Sequence, residues 1–286
     1  MTPRAPSLLR RAVGAAGLAL LLAAAPAAAG ELLLNGGGGE TPDFWAKFFE
    51  LAGGRDAPVV ILPTASSRPE AGPEYVEELE RDHGATAVQW LPLATAEDAA
   101  KPEIVAAIAA ARGVFFTGGD QSRITAALLG TPAMEALRGV FERGGVVAGS
   151  SAGLACMSEV MITGEGNFEV VRAGAVETKL GLGFVTQAVV DQHFIARQRL
   201  NRLLSVVLER PALLGIGVDE RTAVWIRPDA TVRVLGAGSV VLVDARGAAL
   251  REAPESRDLG ARGVALHLYL PGDAFDLATG QPVAAP

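Results

Sequence analysis

Ser151 stands in Gly149-Ser150-Ser151-Ala152-Gly153, and the spacing Gly149-x-Ser151-x-Gly153 is that of a nucleophile elbow. A sharp strand-to-helix turn forces its central residue into strained φ/ψ, so the flanking positions must lack side chains that would clash. The turn presents the Ser151 hydroxyl outward. It also aims the N–H of Ala152, at the start of the following helix, toward the place where an oxyanion develops. Alone, the pentapeptide is equally a glycine-rich strand end, so the chemistry needs a base. The chain has 3 histidines. His83, in Glu80-Arg81-Asp82-His83-Gly84, reads as a helix C-terminal cap, and His267, in an alternating apolar run, reads as a strand residue. His193 differs: it follows the apolar pair Val189-Val190 within the polar cluster Asp191-Gln192-His193-Phe194, at a strand end before a helix. The acid that orients an imidazole is available as Asp219 or Glu220, both at the end of another apolar run. Each cluster by itself is a plausible surface loop, but three of them at strand ends point to nucleophilic catalysis.

The elements that position these residues follow from the hydrophobic pattern. Apolar runs at 32–34, 58–62, 114–116 and 145–148 each end in glycine or small polar residues, as buried parallel strands do. Between them, 43–52, 71–83, 96–111 and 132–142 carry apolar residues three and four apart and read as crossover helices. After Arg210-Pro211 the pattern shortens to alternating strands at 213–218, 223–226, 232–235 and 240–243, an antiparallel β extension rather than a separate domain. The expected class is therefore α/β with a mostly parallel central sheet, whose chemistry sits at the carboxyl ends of the strands. In the helix after His193, Leu200, Leu203, Leu204 and Val207 share one face, and Arg199 and Arg202 fall on the other. Those arginines either solvate the helix or supply guanidinium forks for carboxylates.

Four segments together carry a resemblance. They are Thr117-Gly118-Gly119-Asp120-Gln121, the elbow, Asp191-Gln192-His193-Phe194-x-x-Arg197-x-Arg199-x-x-Arg202-Leu203, and Gly215-Ile216-Gly217-Val218-Asp219-Glu220-Arg221-Thr222-Ala223. This set resembles the cyanophycinase group of peptidase family S51, and the long His193 motif is far more specific than the elbow. The resemblance implies a flavodoxin-like three-layer αβα sandwich related to dipeptidase E and to class I glutamine amidotransferases. It implies a serine exopeptidase acting on cyanophycin, a polyaspartate bearing arginine on each β-carboxyl, with release of β-aspartyl-arginine. It implies a triad of Ser151, His193 and Glu220, an oxyanion received by the N–H groups of Gly119 and Ala152, and a pocket lined by Gln121, Asp191, Gln192, Arg197, Arg199 and Arg202. Ser150 stands where the family pattern has threonine, which places a second hydroxyl beside the nucleophile. Within the same family the alternative is an aspartyl dipeptidase acting on short Asp-X peptides. An α/β-hydrolase esterase, whose order is Ser, acid, His, would need His267 as base, and an inactive scaffold would serve as a binding protein.

Composition narrows the classes further. The 286 residues carry a net charge of -7 and only 5% aromatics, so there is no basic, stacking-rich surface for nucleic acid. One cysteine and scattered histidines argue against an internal disulfide and a zinc site, and no cofactor or metal is expected. Residues 1–29 have the layout of a secretory signal peptide: Arg4, Arg10 and Arg11 without an acid, an Ala/Leu-rich stretch over 12–25, then Pro26 and Ala27-Ala28-Ala29. The apolar stretch is shorter than the ~20 residues that span a bilayer, and cleavage is expected after Ala29. Residues 30–286 are then one peptidase domain, secreted or periplasmic, free of the membrane once cleaved, with a peptide substrate as its partner and a homodimer compatible with the reading.

Overall fold

The computed structural model describes residues 30–284, and the expected signal peptide lies outside them. Alternating apolar runs and amphipathic segments form β1 (Glu31–Asn35), α1 (Pro42–Ala52), β2 (Val59–Leu62), α2 (Ala71–His83), β3 (Val88–Trp90), α3 (Pro102–Ala110), β4 (Gly113–Phe116), α4 (Gln121–Leu128), α5 (Pro132–Glu142), β5 (Val146–Ser150) and the single turn α6 (Ala152–Ala155). There follow β6 (Val160–Gly166), β7 (Val176–Leu180), β8 (Ala188–Asp191), α7 (Leu200–Glu209), β9 (Leu214–Val218), β10 (Thr222–Ile226), β11 (Thr231–Gly236), β12 (Val240–Asp244), β13 (Ala249–Glu252), β14 (Leu259–Arg262), β15 (Ala265–Tyr269) and β16 (Ala274–Asp276). Helices α1 and α5 start where a threonine hydroxyl, Thr41 or Thr131, accepts a first-turn N–H and proline occupies the first helical position.

The main sheet runs β16-β11-β10-β1-β5-β4-β2-β3. Strands β1, β5, β4, β2 and β3 are parallel, and β10, β11 and β16 continue the sheet antiparallel. The inner parallel strands β1, β5, β4 and β2 are apolar without alternation because both faces are covered, whereas the edge strand β3, not expected from the sequence, is half-exposed to exposed. Leu33, Ile61, Phe115 and Ala148 meet Phe44, Trp45 and Phe48 of α1. Leu34, Leu62, Phe116 and Val147 point the other way, into a core with Ile104 and Ile108 of α3 and Leu137 and Val140 of α5. This is the expected three-layer α/β sandwich.

The antiparallel extension is present but is shared between two sheets. Strands β10 and β11 join the main sheet, whereas β9 and β12 belong to a second sheet of order β15-β12-β9-β8, in which β8 and β9 are parallel. Alternation marks a strand as half-buried without naming its partner, so the division was invisible in the pattern. The second sheet turns Val190, Ile216 and Leu242 into the core shared with α3 and α5. Its other face, with Val189, Val241 and Val243, lies under Leu203, Val206 and Val207 of α7. Between β9 and β10 the chain crosses from one sheet to the other in only Asp219, Glu220 and Arg221, so these residues sit at the seam. The helix expected over 96–111 begins only at Pro102, and α4 had not been anticipated.

Candidate active site

The elbow is strained as its glycines require. Ser151 has φ 53 and ψ -104, outside the regions open to ordinary L-residues. A Cβ on Gly149 would lie 2.3 Å from the Gly153 carbonyl oxygen, and one on Gly153 would lie 2.3 Å from that of Phe116. Parallel pairing sets Asn35 of β1 beside Ser150 of β5, and the Ser151 N–H donates to the Asn35 carbonyl at 2.9 Å. The Ser151 hydroxyl is 2.8 Å from His193 Nε2, and His193 Nδ1 is 2.7 Å from Glu220 Oε1.

His193 follows β8 at φ 47, a second non-glycine residue in the left-handed region, and Glu220 lies at the seam between sheets. What seats both is the loop Gly36-Gly37-Gly38-Gly39 after β1. The His193 N–H donates to the Gly36 carbonyl at 2.8 Å and the Arg221 N–H to that of Gly37 at 2.7 Å. A Cβ on Gly37 would fall 2.3 Å from His193 Cε1, and one on Gly38 would fall 2.7 Å from Glu220 Cβ. In the sequence these glycines read only as the end of a strand. Four in succession exceed what ending a strand needs, and that excess was the available signal.

The structure also separates the candidates left open above. Asp219 faces away from the imidazole: its Oδ1 accepts the N–H groups of Ile195 and Ala196 at 3.1 and 3.0 Å, holding the turn that follows His193. Ser150 is buried near Glu40, whose carboxyl accepts from the Tyr75 hydroxyl at 3.2 Å and is pushed above its ordinary value by burial. His83 ends α2. His267 pairs across from Leu242 on the edge strand β15 and stacks on Tyr269, so the base that the esterase order requires is not the one on Ser151. Cys156 is fully buried and its thiol is pushed up by burial, which leaves it no nucleophile.

A hydrogen bond from Nδ1–H to the Glu220 carboxylate leaves the Nε2 lone pair for the Ser151 proton. Burial holds His193 below its ordinary pKa of 6.5; Glu220 opposes this, and Arg197 and Arg199 add to it. The imidazole is therefore neutral and able to act as a base. Gly119 has φ 142, and a Cβ there would lie 2.1 Å from the Ala65 carbonyl oxygen. Neither its N–H nor that of Ala152 makes a backbone hydrogen bond among the described residues. The arrangement is chemically competent for acyl transfer: a hydroxyl, a base, an oriented acid and two uncommitted amides.

The model of peptidase family S51 matches residues 32–234. The chain belongs to peptidase family S51. It is a serine-type peptidase, a hydrolase. It is 37% identical over 238 residues to a cyanophycinase of Synechococcus elongatus, covering 82% of this chain and 74% of that one. It is 38% identical over 236 residues to a cyanophycinase of a Nostoc species, covering 80% and 78%. Among solved structures it is similar in fold to a peptidase from an acI-B1 Actinobacterium, with a TM-score of 0.65 at 24% identity over 88% of this chain and 98% of that one. It is also similar in fold to a putative peptidase E protein of Listeria monocytogenes, with a TM-score of 0.52 at 18% identity over 73% and 99%.

The pocket residues expected in this S51 peptidase divide into two groups. Gln192, Arg197 and Arg199 surround His193: Arg199 Nη1 donates to the Gln192 carbonyl at 2.8 Å, and the buried Gln192 Oε1 has no partner among the described residues. Arg197 is exposed. Burial first, then the neighbouring Arg202, pushes Arg199 down to about 10, and it remains a cation at neutral pH. Asp191 and Arg202 depart from the expectation. Both are buried, at 0% and 2% side-chain exposure, and Arg202 grips Asp191 with a two-pronged fork, Nε to Oδ2 at 2.7 Å and Nη2 to Oδ1. The helical face that a wheel assigns to solvent is covered instead, and Arg202 has its carboxylate from within the protein. Gln121, in the first turn of α4, is also buried and donates its amide to the Ile162 carbonyl at 2.9 Å.

Proposed function

We propose that this S51 peptidase hydrolyses cyanophycin to β-aspartyl-arginine dipeptides by way of an acyl-enzyme on Ser151, and that it works outside the cytoplasm after cleavage at Ala29. The hydrogen-bonded chain from Ser151 through His193 to Glu220, at 2.8 and 2.7 Å, carries this reading. His193 Nε2 takes the proton as Ser151 Oγ bonds to the backbone carbonyl carbon of an aspartyl residue. The oxyanion develops against the N–H groups of Gly119 and Ala152. As the C–N bond breaks, the imidazolium returns its proton to the leaving amine, and water attacks the acyl-enzyme with His193 again as base. Arg199 and Arg197 are the groups that receive substrate carboxylates, and the open Gln192 Oε1, an acceptor, is left for a substrate N–H. The 37–38% identity to cyanophycinases supports the choice of polymer. The test is to incubate the protein with insoluble cyanophycin and with Asp-X dipeptides and weigh the products. Release of β-aspartyl-arginine from the polymer is expected; cleavage of the dipeptides alone would make the protein an aspartyl dipeptidase.

A further inference from the structure

Two clefts meet over the carboxyl edge of the main sheet and share Ser66, Ser67, Arg68 and Arg123. The nearer one, about 550 Å³, is walled by Gly118 and Gly119. A Cβ on Gly118 would stand 3.5 Å from Ser151 Cβ, so the wall of this cleft at Gly118 borders the nucleophile. The farther one, about 300 Å³, runs on to Trp90 at the end of β3. In the sheet, β1 with its glycine seat for His193 lies on one side of β5, and β4, β2 and β3 lie on the other. The two clefts therefore form one trough that leaves Ser151 on the side opposite His193 and its arginines.

The walls of the trough are chemically particular. Trp90 is 36% exposed, and its indole lies flat on the backbone of Gly72, where a Cβ would be 2.7 to 2.9 Å from three ring atoms. Gly72 thus holds an aromatic face in one orientation at the rim of the cleft. Arg68 is engaged by Glu70 and Glu74, whereas Arg123 makes no ion pair among the described residues. Every unit of a polyaspartate that bears arginine on its β-carboxyl presents both a carboxylate and a guanidinium, the partners of Arg123 and of an indole face.

Building on the function proposed above, we infer that the trough is a polymer subsite: it binds Asp-Arg units remote from the scissile bond, with Arg123 on a carboxylate and Trp90 against a guanidinium. Such a site acts only on chains long enough to reach it and so selects polymer over dipeptide. The test compares kcat/KM on insoluble cyanophycin and on a two-unit fragment of it, for wild type, Trp90→Ala, Arg123→Gln and the double variant, with thermal melting as a folding control. Each single variant should lose about fivefold on the polymer and the double variant more than about tenfold, while all stay within about twofold of wild type on the fragment. Equal losses on both substrates, or a double variant unimpaired on the polymer, would overturn the subsite while leaving the proposed function standing. A wild-type protein that releases nothing from the polymer would instead overturn the function itself, and the subsite with it.

Discussion

Burial depresses the pKa of His193, the guanidinium groups of Arg197 and Arg199 depress it further, and the Glu220 carboxylate pulls it back up. A base with a lowered pKa stays neutral into mild acid, so kcat/KM should hold through neutral pH and fall on an acid limb below pH 6.5. Arg197→Gln removes a like charge and should move that limb upward. Glu220→Gln should move it downward and also lower kcat by ~10³- to 10⁴-fold, because the tautomer is no longer held. pH–rate profiles of the three proteins check both, and a wild-type limb at or above pH 6.5 would contradict the assignment. Stability follows the same sign: the unfolded chain binds the His193 proton more readily, so stability is complete above pH 6.5 and declines as the pH falls through the folded value. Ser151 and His193 were legible in the sequence because their types coincide with strand ends. The residues alone did not choose between Asp219 and Glu220, because both carboxylates follow the same strand, and only the change of sheet at that point turns one toward the imidazole and the other toward Ile195 and Ala196.

Elements decide what the arginine motif and the glycine loop do. Arg202 projects from α7 into a layer that a helical wheel does not contain, and its loss would strip the buried Asp191 carboxylate of its two-pronged partner, leaving it the Gln192 N–H at 2.9 Å and Arg199 Nη1 at 3.7 Å. Arg202→Gln should therefore destabilise the fold by about 3–5 kcal/mol, visible in chemical denaturation. Arg199→Gln, which loses a hydrogen bond to the Gln192 carbonyl and a longer pairing with Asp191, should destabilise the fold less than Arg202→Gln and cost about 1.5–3 kcal/mol in kcat/KM. Similar melting of the two variants would remove the distinction. Gly37 combines φ 97 with a Cβ position 2.3 Å from His193 Cε1. Gly37→Ala should displace the imidazole and lower kcat by at least ~10²-fold while KM changes little, and unaltered kinetics would show that the loop does not seat the base.

Across the whole molecule, the four inner parallel strands of the main sheet, β1, β5, β4 and β2, were readable because strands covered on both faces are apolar and stop at glycine or small polar residues, whereas the edge strand β3, Val88-Gln89-Trp90, is half-exposed to exposed and carries no such run. The partition of the later strands was not, since half-buried strands of two different sheets share one alternating pattern, and their partners depend on packing among distant segments. That partition nevertheless builds the site: β5 of the main sheet brings Ser151, β8 of the second sheet brings His193, and the crossing between the sheets brings Glu220. The central claim is that Ser151 is the nucleophile of this constellation, and mass analysis of products from insoluble cyanophycin incubated with wild type, Ser150→Ala and Ser151→Ala measures it most directly. Wild type and Ser150→Ala should release β-aspartyl-arginine, and Ser151→Ala should be slower by ~10⁶-fold, with no detectable product. Near-normal release by Ser151→Ala beside an inactive Ser150→Ala would contradict it.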